Sequence, residues 1–223
     1  MVFQLSRKLW FPDPRQAERG EHDGLVAVGG DFSMPRLLLA YRSGIFPWTA
    51  RPPTWWSPDP RGIFELNRFH VSRSLERVVR RQIFEVSIDR AFRRVMEGCA
   101  DPRSRPGQRA GAWITREFID AYAELHRAGH AHSVECWRDG ELAGGIYGVA
   151  VGGLFAGESM FHRVSDASKV ALFHLHRHLG GRGFALFDIQ MLTPITRQLG
   201  AVEISREEYL ARLAKAVEMP CQF

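Results

Sequence analysis

The segment Gly44–Phe64, GIFPWTARPPTWWSPDPRGIF, sets the hardest limit on what this chain can fold into. It packs five aromatic rings and five prolines into 21 residues. Proline lacks a backbone N–H and fixes φ, so neither a helix interior nor a central strand accepts that density. The segment is therefore expected to be a stiff, irregular joint between a small N-terminal domain (residues 1–62) and a main domain (63–223). Its rings have two uses open to them. They can glue the two domains together, or they can hold a flat ligand.

Around this joint the patterning alternates between strand and helix. Residues 1–23 read as irregular and GLVAVGG (24–30) as a short strand. Ser33 is placed to cap a helix that Gly44 terminates. Ser72 caps a second helix, SRSLERVVRRQ, and IFEVSI (83–88) alternates like a strand. Asp89 is placed to start a helix through Gly98. A loop covers 101–112, and a helix runs from Thr115 to Ala128. Residues 130–161 are β-rich, with Asp139-Gly140 and Gly152-Gly153 as hairpin turns. A helix then runs from Asp166 to Leu179, and FALFDIQ (184–190) reads as a buried strand. ITRQLG follows as a short helix, and Ser205 with Glu208 as a capping box for the last one. The fold class is α+β, a mixed sheet flanked by helices behind a small N-terminal domain.

Composition excludes several function classes. No apolar run reaches the ~18 residues that mark a membrane span. The opening MVFQLSRKLWFPDP lacks the long apolar core of a secretory signal. Cys99, Cys136 and Cys221 form no CxxC pair and read as reduced thiols of a cytoplasmic protein. The net charge is +5, and it is local: Arg68–Arg94 carries eight arginines against three acids, while the rest of the chain balances. Such a patch points to a polyanion, nucleic acid first. On the helix after Ser72, Arg73, Arg77, Arg80 and Arg81 fall on one side and Leu75, Val78 and Val79 on the other.

Several residues could carry chemistry. Asp188 and Gln190 end the apolar strand, and period-two alternation puts them on one face. They are either a polar strand end bonded to loops or an acid–amide pair at the mouth of a site. In GESMF (157–161), alternation places Glu158 and Met160 on one face and Ser159 on the other. Glu158 is either a buried ion-pair partner or a recognition carboxylate. Ser159 has His162 and Asp166 nearby, but Phe161 stands where a nucleophile elbow needs a small residue. His174, His176 and His178 contain no HExxH pattern and lie near a helix C-terminus, which favours a solvated or capping imidazolium over a metal. Gly180, Gly181 and Gly183 follow a helix instead of opening one, the wrong order for a phosphate or coenzyme A loop.

Taken together, GLVAVGGDFS, YRSGIFPW, WWSPDPRG, EGCA, AWITREFIDAY, LHRAGHAHSVECW, GGIYGVAVGGLFAGESMF, ASKVAL and FDIQ resemble the bacterial leucyl/phenylalanyl-tRNA–protein transferase family, from about Leu5 to Leu213. That resemblance implies an acetyltransferase-like (GNAT-type) main domain and no metal or organic cofactor. It implies transfer of leucine or phenylalanine, methionine less often, from aminoacyl-tRNA to proteins with N-terminal arginine or lysine, marking them for N-degron degradation. It places Trp48 and Trp113 around the terminal adenosine, with Trp55 and Trp56 structural. It places Ile146, Phe155 and Met160 around the aminoacyl side chain, with Ile146 standing where the family pattern has methionine. Glu158 would hold a cationic group. Gln190 would accept a hydrogen bond from the attacking amine, oriented by Asp188, and the final proton would go to Asp188, a water or the ribose oxygen. The arginine stripe would lie along the tRNA acceptor stem. A monomer is expected. Two rival readings remain: a coenzyme A-dependent acetyltransferase on the same fold, and an RNA-binding module indifferent to aminoacylation.

Overall fold

The computed structural model describes residues 2–18, 20, 23–102 and 114–223. It departs from the sequence expectation first at the N-terminus. There Phe3–Leu5 forms strand β1, paired in parallel with β2 (Leu25–Gly29). Helix α1 (Met34–Arg42) follows; Ser33 donates its hydroxyl to Asp31 instead of capping it. The proline-rich joint is pleated, not irregular. It supplies β3 (Phe46–Ala50), β4 (Pro53–Trp56) and β5 (Arg61–Phe64). Density alone misled, because position decides whether a proline costs a ladder bond. Pro47 lies on β3, an edge of the four-stranded sheet β1-β2-β4-β3, and Pro53 is the first residue of β4. Pro52, Pro58 and Pro60 lie between strands.

The joint's last strand, β5, belongs to a second sheet. The other members are β6 (Glu85–Ile88), β7 (Ala131–Arg138), β8 (Glu141–Val151), β9 (Leu154–His162), β10 (Leu186–Gln190) and β11 (Val202–Ile204). Their order is β11-β5-β10-β9-β8-β7-β6, with β9 and β10 parallel and the other neighbours antiparallel. The Asp-Gly turn between β7 and β8 has φ +54° at Asp139 and +79° at Gly140, the backbone that this dipeptide favours.

Helices α2 (Arg73–Arg80) and α5 (Ala167–Gly181) cover one face of this sheet. Helices α3 (Phe92–Ala100) and α4 (Arg116–Arg127) cover the other. The chain ends through α6 (Pro194–Gln198) and α7 (Arg206–Ala216). Asp89 does not open α3: it sits at φ +58°, where its carboxylate takes His132 Nδ1 at 2.8 Å and the Ser133 N–H at 2.9 Å. Ser205 caps α7, but Glu208 accepts from Arg212 instead of closing the box. The histidines of α5 are not solvated cations. His176 is buried with its Nε2 against the Glu65 carbonyl at 3.0 Å, and burial lowers the pKa of His174, His176 and His178.

Two core clusters result. One runs from Trp55 of the small sheet and Tyr41 of α1 through Tyr122 and Tyr147 to Tyr209 of α7, so the two sheets share it. The other lies beneath α5 and α2 and holds Leu75, Ile146, Phe155, Leu175 and Phe187.

Candidate active site

The site forms where β9 and β10 part. They pair in register from Leu186 opposite Leu154 to Asp188 opposite Ala156, and no further. Each strand carries an irregularity there. On β9, Ser159 faces Tyr147 and Gly157 faces Gly148, so Glu158 is an extra residue. On β10, Asp188 faces Ile63 and Gln190 faces Gly62, so Ile189 is extra, and Gln190 adopts φ +57°. Gly62 lets this end of β10 fold over it: a Cβ there would lie 2.9 Å from Leu192 N and from Met191 C. The irregularity on β9 breaks the alternation expected from the sequence, while Asp188 and Gln190 share a face as expected, with Ile189 packed on the other. Glu158 turns toward Tyr122, in the first core cluster, whereas Met160 packs against the second. Across the parted strands, Gln190 Nε2 donates to Glu158 Oε1 at 3.1 Å.

Asp188 is 1% exposed and fully engaged. Arg61, also 1% exposed, grips it in bidentate fashion, Nε to Oδ1 at 2.9 Å and Nη2 to Oδ2 at 2.7 Å. Tyr209 of α7 donates to Oδ2 at 2.9 Å, and the backbone N–H of Gln190 donates to Oδ1 at 2.9 Å. A carboxylate offers about four lone-pair sites, and all are taken. Of the three destinations open to the final proton, Asp188 would have to give up one of these bonds to receive it. Burial works against the Arg61 charge, but Asp188 outweighs it and holds the guanidinium pKa above its usual range.

Glu158 is different. It is half-buried, and burial pushes its carboxyl up to about 8. The hydroxyls of Tyr41 and Tyr122 pull the other way, as does Arg61, while Asp188 adds to the rise. Tyr122 donates to Glu158 Oε2 at 3.5 Å and shares a short hydrogen bond with Tyr41. Burial raises both phenol pKa values, so both hydroxyls stay neutral donors. Gln190 thus spends an amide N–H on Glu158.

The other expected residues divide. Ile146 faces Met160 across the β8–β9 ladder, and Phe155 joins Ile146 in the second core cluster. Ile146 and Phe155 are closed to solvent, at 5% and 1% exposure, and Met160 is the half-buried member of the set. Trp48 is half-buried on β3 and meets Trp56 edge-on, ring centres 5.0 Å apart. Trp55 is fully buried, with its indole N–H on the Gly29 carbonyl at 2.8 Å, a structural role. Trp113 lies outside the described residues, as does most of the 101–112 loop. A surface cavity of about 640 Å³ lies elsewhere, between β6 and α5.

Arg73, Arg77, Arg80 and Arg81 are exposed, and Leu75 anchors the opposite side of α2 at 2% exposure. Among the described residues none of the four pairs with a carboxylate. Arg90, Arg93 and Arg94 of the same basic stretch do, with Glu85, Asp120 and Glu141. The uncompensated part of the patch is therefore α2.

Sequence reasoning missed Arg61, Tyr209, Tyr41 and Tyr122. Arg61 had a visible signal, a charge opening the apolar strand RGIF. The tyrosines had none.

A family model described as leucyl/phenylalanyl-tRNA protein transferase matches residues 63–214, and one for the N-terminal domain of that protein matches 30–59. The chain belongs to the leucyl/phenylalanyl-tRNA–protein transferase family. The transferase of Anaeromyxobacter sp. (strain K) is 52% identical over 221 residues, covering 98% of this chain and 93% of that protein. The transferase of Desulforapulum autotrophicum is 48% identical over 219 residues, 97% of this chain and 93% of that one. Among solved structures, the PaiA N-acetyltransferase of Thermoplasma acidophilum in complex with coenzyme A aligns at 11% identity with a TM-score of 0.34, over 45% of this chain and 75% of that one. At that score the fold class rests on the strand order, not on the likeness. Within the transferase family match, Glu158, Asp188, Gln190 and Tyr209 fall inside the main segment, and Arg61 falls between the two segments.

Proposed function

We propose that this chain transfers leucine, phenylalanine and, less well, methionine from aminoacyl-tRNA to the N-terminal arginine or lysine of acceptor proteins. It would act in the cytoplasm, as a monomer, and its products would enter N-degron degradation. The observation that carries the reading is the Glu158–Gln190 hydrogen bond across the parted strands, beside an Asp188 whose acceptor sites are all filled.

The ester of an aminoacyl-tRNA is already activated. The protein has only to place the acceptor α-amine in line with the carbonyl carbon and to deliver it neutral. Glu158, in its ionised form, holds the incoming ammonium and takes its first proton. Its carboxyl, near 8, matches the usual α-amino range of about 7.7–8.0, which keeps that exchange close to thermoneutral. The Gln190 side-chain carbonyl oxygen accepts a second N–H and orients the nitrogen. The nitrogen attacks the ester carbon and a C–N bond forms. The bond from carbon to the ribose 3′ oxygen breaks, and that oxygen receives the second proton the nitrogen sheds.

Trp48 and Trp113 would stack the terminal adenosine, worth about 1–3 kcal/mol per base. Ile146, Phe155 and Met160 would surround the side chain, entered from the half-buried Met160. The free arginines of α2 would run along acceptor-stem phosphates. The test is direct. Wild-type protein mixed with labelled Phe-tRNA and an Arg-initiated peptide should place label on the peptide's N-terminus. Label that stays on tRNA, or equal labelling of peptides with acidic N-termini, would refute the activity.

A further inference from the structure

We infer that Arg61, clamped by Tyr209, is the positioning residue of the transfer reaction, holding Glu158 and Gln190 in place from behind. The inference rests on the function proposed above, and no part of it comes from the family match, which skips Arg61.

Arg61 is a node with two arms. The first runs through Asp188. Two guanidinium nitrogens fix both carboxylate oxygens, and Oδ1 in turn accepts the Gln190 backbone N–H at 2.9 Å. That last bond holds Gln190 in its left-handed backbone, a conformation that a non-glycine residue keeps only when its surroundings enforce it. The second arm runs through α1. Arg61 Nη1 donates to the Gly44 carbonyl at 3.1 Å, just past the end of the helix that carries Tyr41. Tyr41 meets Tyr122, and Tyr122 meets Glu158. Both members of the Glu158–Gln190 pair are thus tied to one buried cation.

Tyr209 closes the node. Its hydroxyl donates to Asp188 and accepts from Arg61 Nη2 at 3.3 Å, and its ring lies 4.3 Å from the Arg61 carbon. Phe46 covers the guanidinium at 5.0 Å. Gly44 leaves room for this packing: a Cβ there would stand 2.7 Å from Leu210 and 3.1 Å from the Tyr209 ring. Asp188 is the fixed link between Arg61 and the Gln190 backbone.

The variants are Tyr209→Phe and Arg61→Lys in the full chain, assayed with labelled Phe-tRNA and an Arg-initiated peptide. A lost hydrogen bond to a buried carboxylate predicts that Tyr209→Phe lowers kcat at least tenfold while KM for both substrates stays within twofold. Arg61→Lys keeps the charge but loses the fork, and should lower kcat at least a hundredfold. The backbone amide resonance of ¹⁵N-labelled Gln190 should move in Tyr209→Phe, since the bond it makes to Asp188 changes. Tyr209→Phe with kcat within twofold of wild type, or with its loss confined to KM, overturns the inference. Should Arg61→Lys not fold, Tyr209→Phe decides alone. Wild-type protein that transfers no label overturns the activity and the positioning role together. Wild-type transfer with an unchanged Tyr209→Phe overturns the positioning role only.

Discussion

Asp188 and Glu158 are two carboxylates on neighbouring strands of the site, yet their surroundings give them opposite tasks. Asp188 meets four donors; Glu158 meets phenols and an amide, and burial holds its carboxyl near 8. Asp188→Asn would turn an NH₂ toward Arg61 and leave a buried guanidinium unpaired. Breaking such a pair costs about 3–5 kcal/mol, which a shift of the denaturant midpoint at constant slope would report. Glu158 predicts a pH signature. Its folded pKa of about 8 lies above the ordinary 4.5 of a glutamate, so the folded state binds the extra proton in that window. Stability contributed by neutral Glu158 is complete below about 4.5 and is lost as pH rises toward 8. Glu158→Gln should remove this loss, so the melting temperature of the variant, relative to wild type, should climb between pH 5 and pH 8. Asp188, Gln190 and Glu158 were legible in the sequence because polar residues interrupt apolar strands. Their partners were not: Arg61 lies 127 positions from Asp188, and nothing local to either residue announces the other.

At the scale of elements, strands, hairpin turns and helix docking followed from patterning, and the two irregular strand ends did not. Alternation assigns faces only while each residue has a partner. The extra residue at Glu158 parted it from the face of Met160, whereas Asp188 and Gln190 kept one face with Ile189 opposite, as alternation expects. The prolines misled for a related reason, since their count says nothing of whether they fall at a strand's start or middle. Helix α2 was read correctly as amphipathic, and the structure adds that its arginines lack carboxylate partners among the described residues. Reversing charge at Arg73 and Arg77 together should raise KM for Phe-tRNA at least tenfold and flatten its salt dependence. The same variant should use phenylalanyl-adenosine, which has no acceptor stem, within twofold of wild type. Equal losses with both substrates would exclude α2 as a tRNA contact.

For the molecule as a whole, the small sheet and the large one are joined by more than the joint. One core cluster includes Trp55 of the first and Tyr147 of the second, and α7 returns from the C-terminus to seat Tyr209 and Leu213 in it. Arg206 of α7 reaches back to the Pro14 carbonyl at 3.0 Å. The site uses this wiring, since Tyr41 and Arg61 enter it from the N-terminal end of the chain and Tyr209 from the other. Thermal unfolding should therefore show one transition, with the indole fluorescence of the small sheet and the far-UV signal of the large one changing together; two separated transitions would show the sheets to be independent. The central claim, that peptide-bond formation happens at the Glu158–Gln190 pair with Glu158 taking the proton, is tested most directly by single-turnover transfer from Phe-tRNA to saturating Arg-initiated peptide at pH 7. The account predicts that Glu158→Gln slows this step at least a hundredfold, the usual scale for losing a proton acceptor, while Phe-tRNA still binds. A rate within threefold of wild type would contradict it.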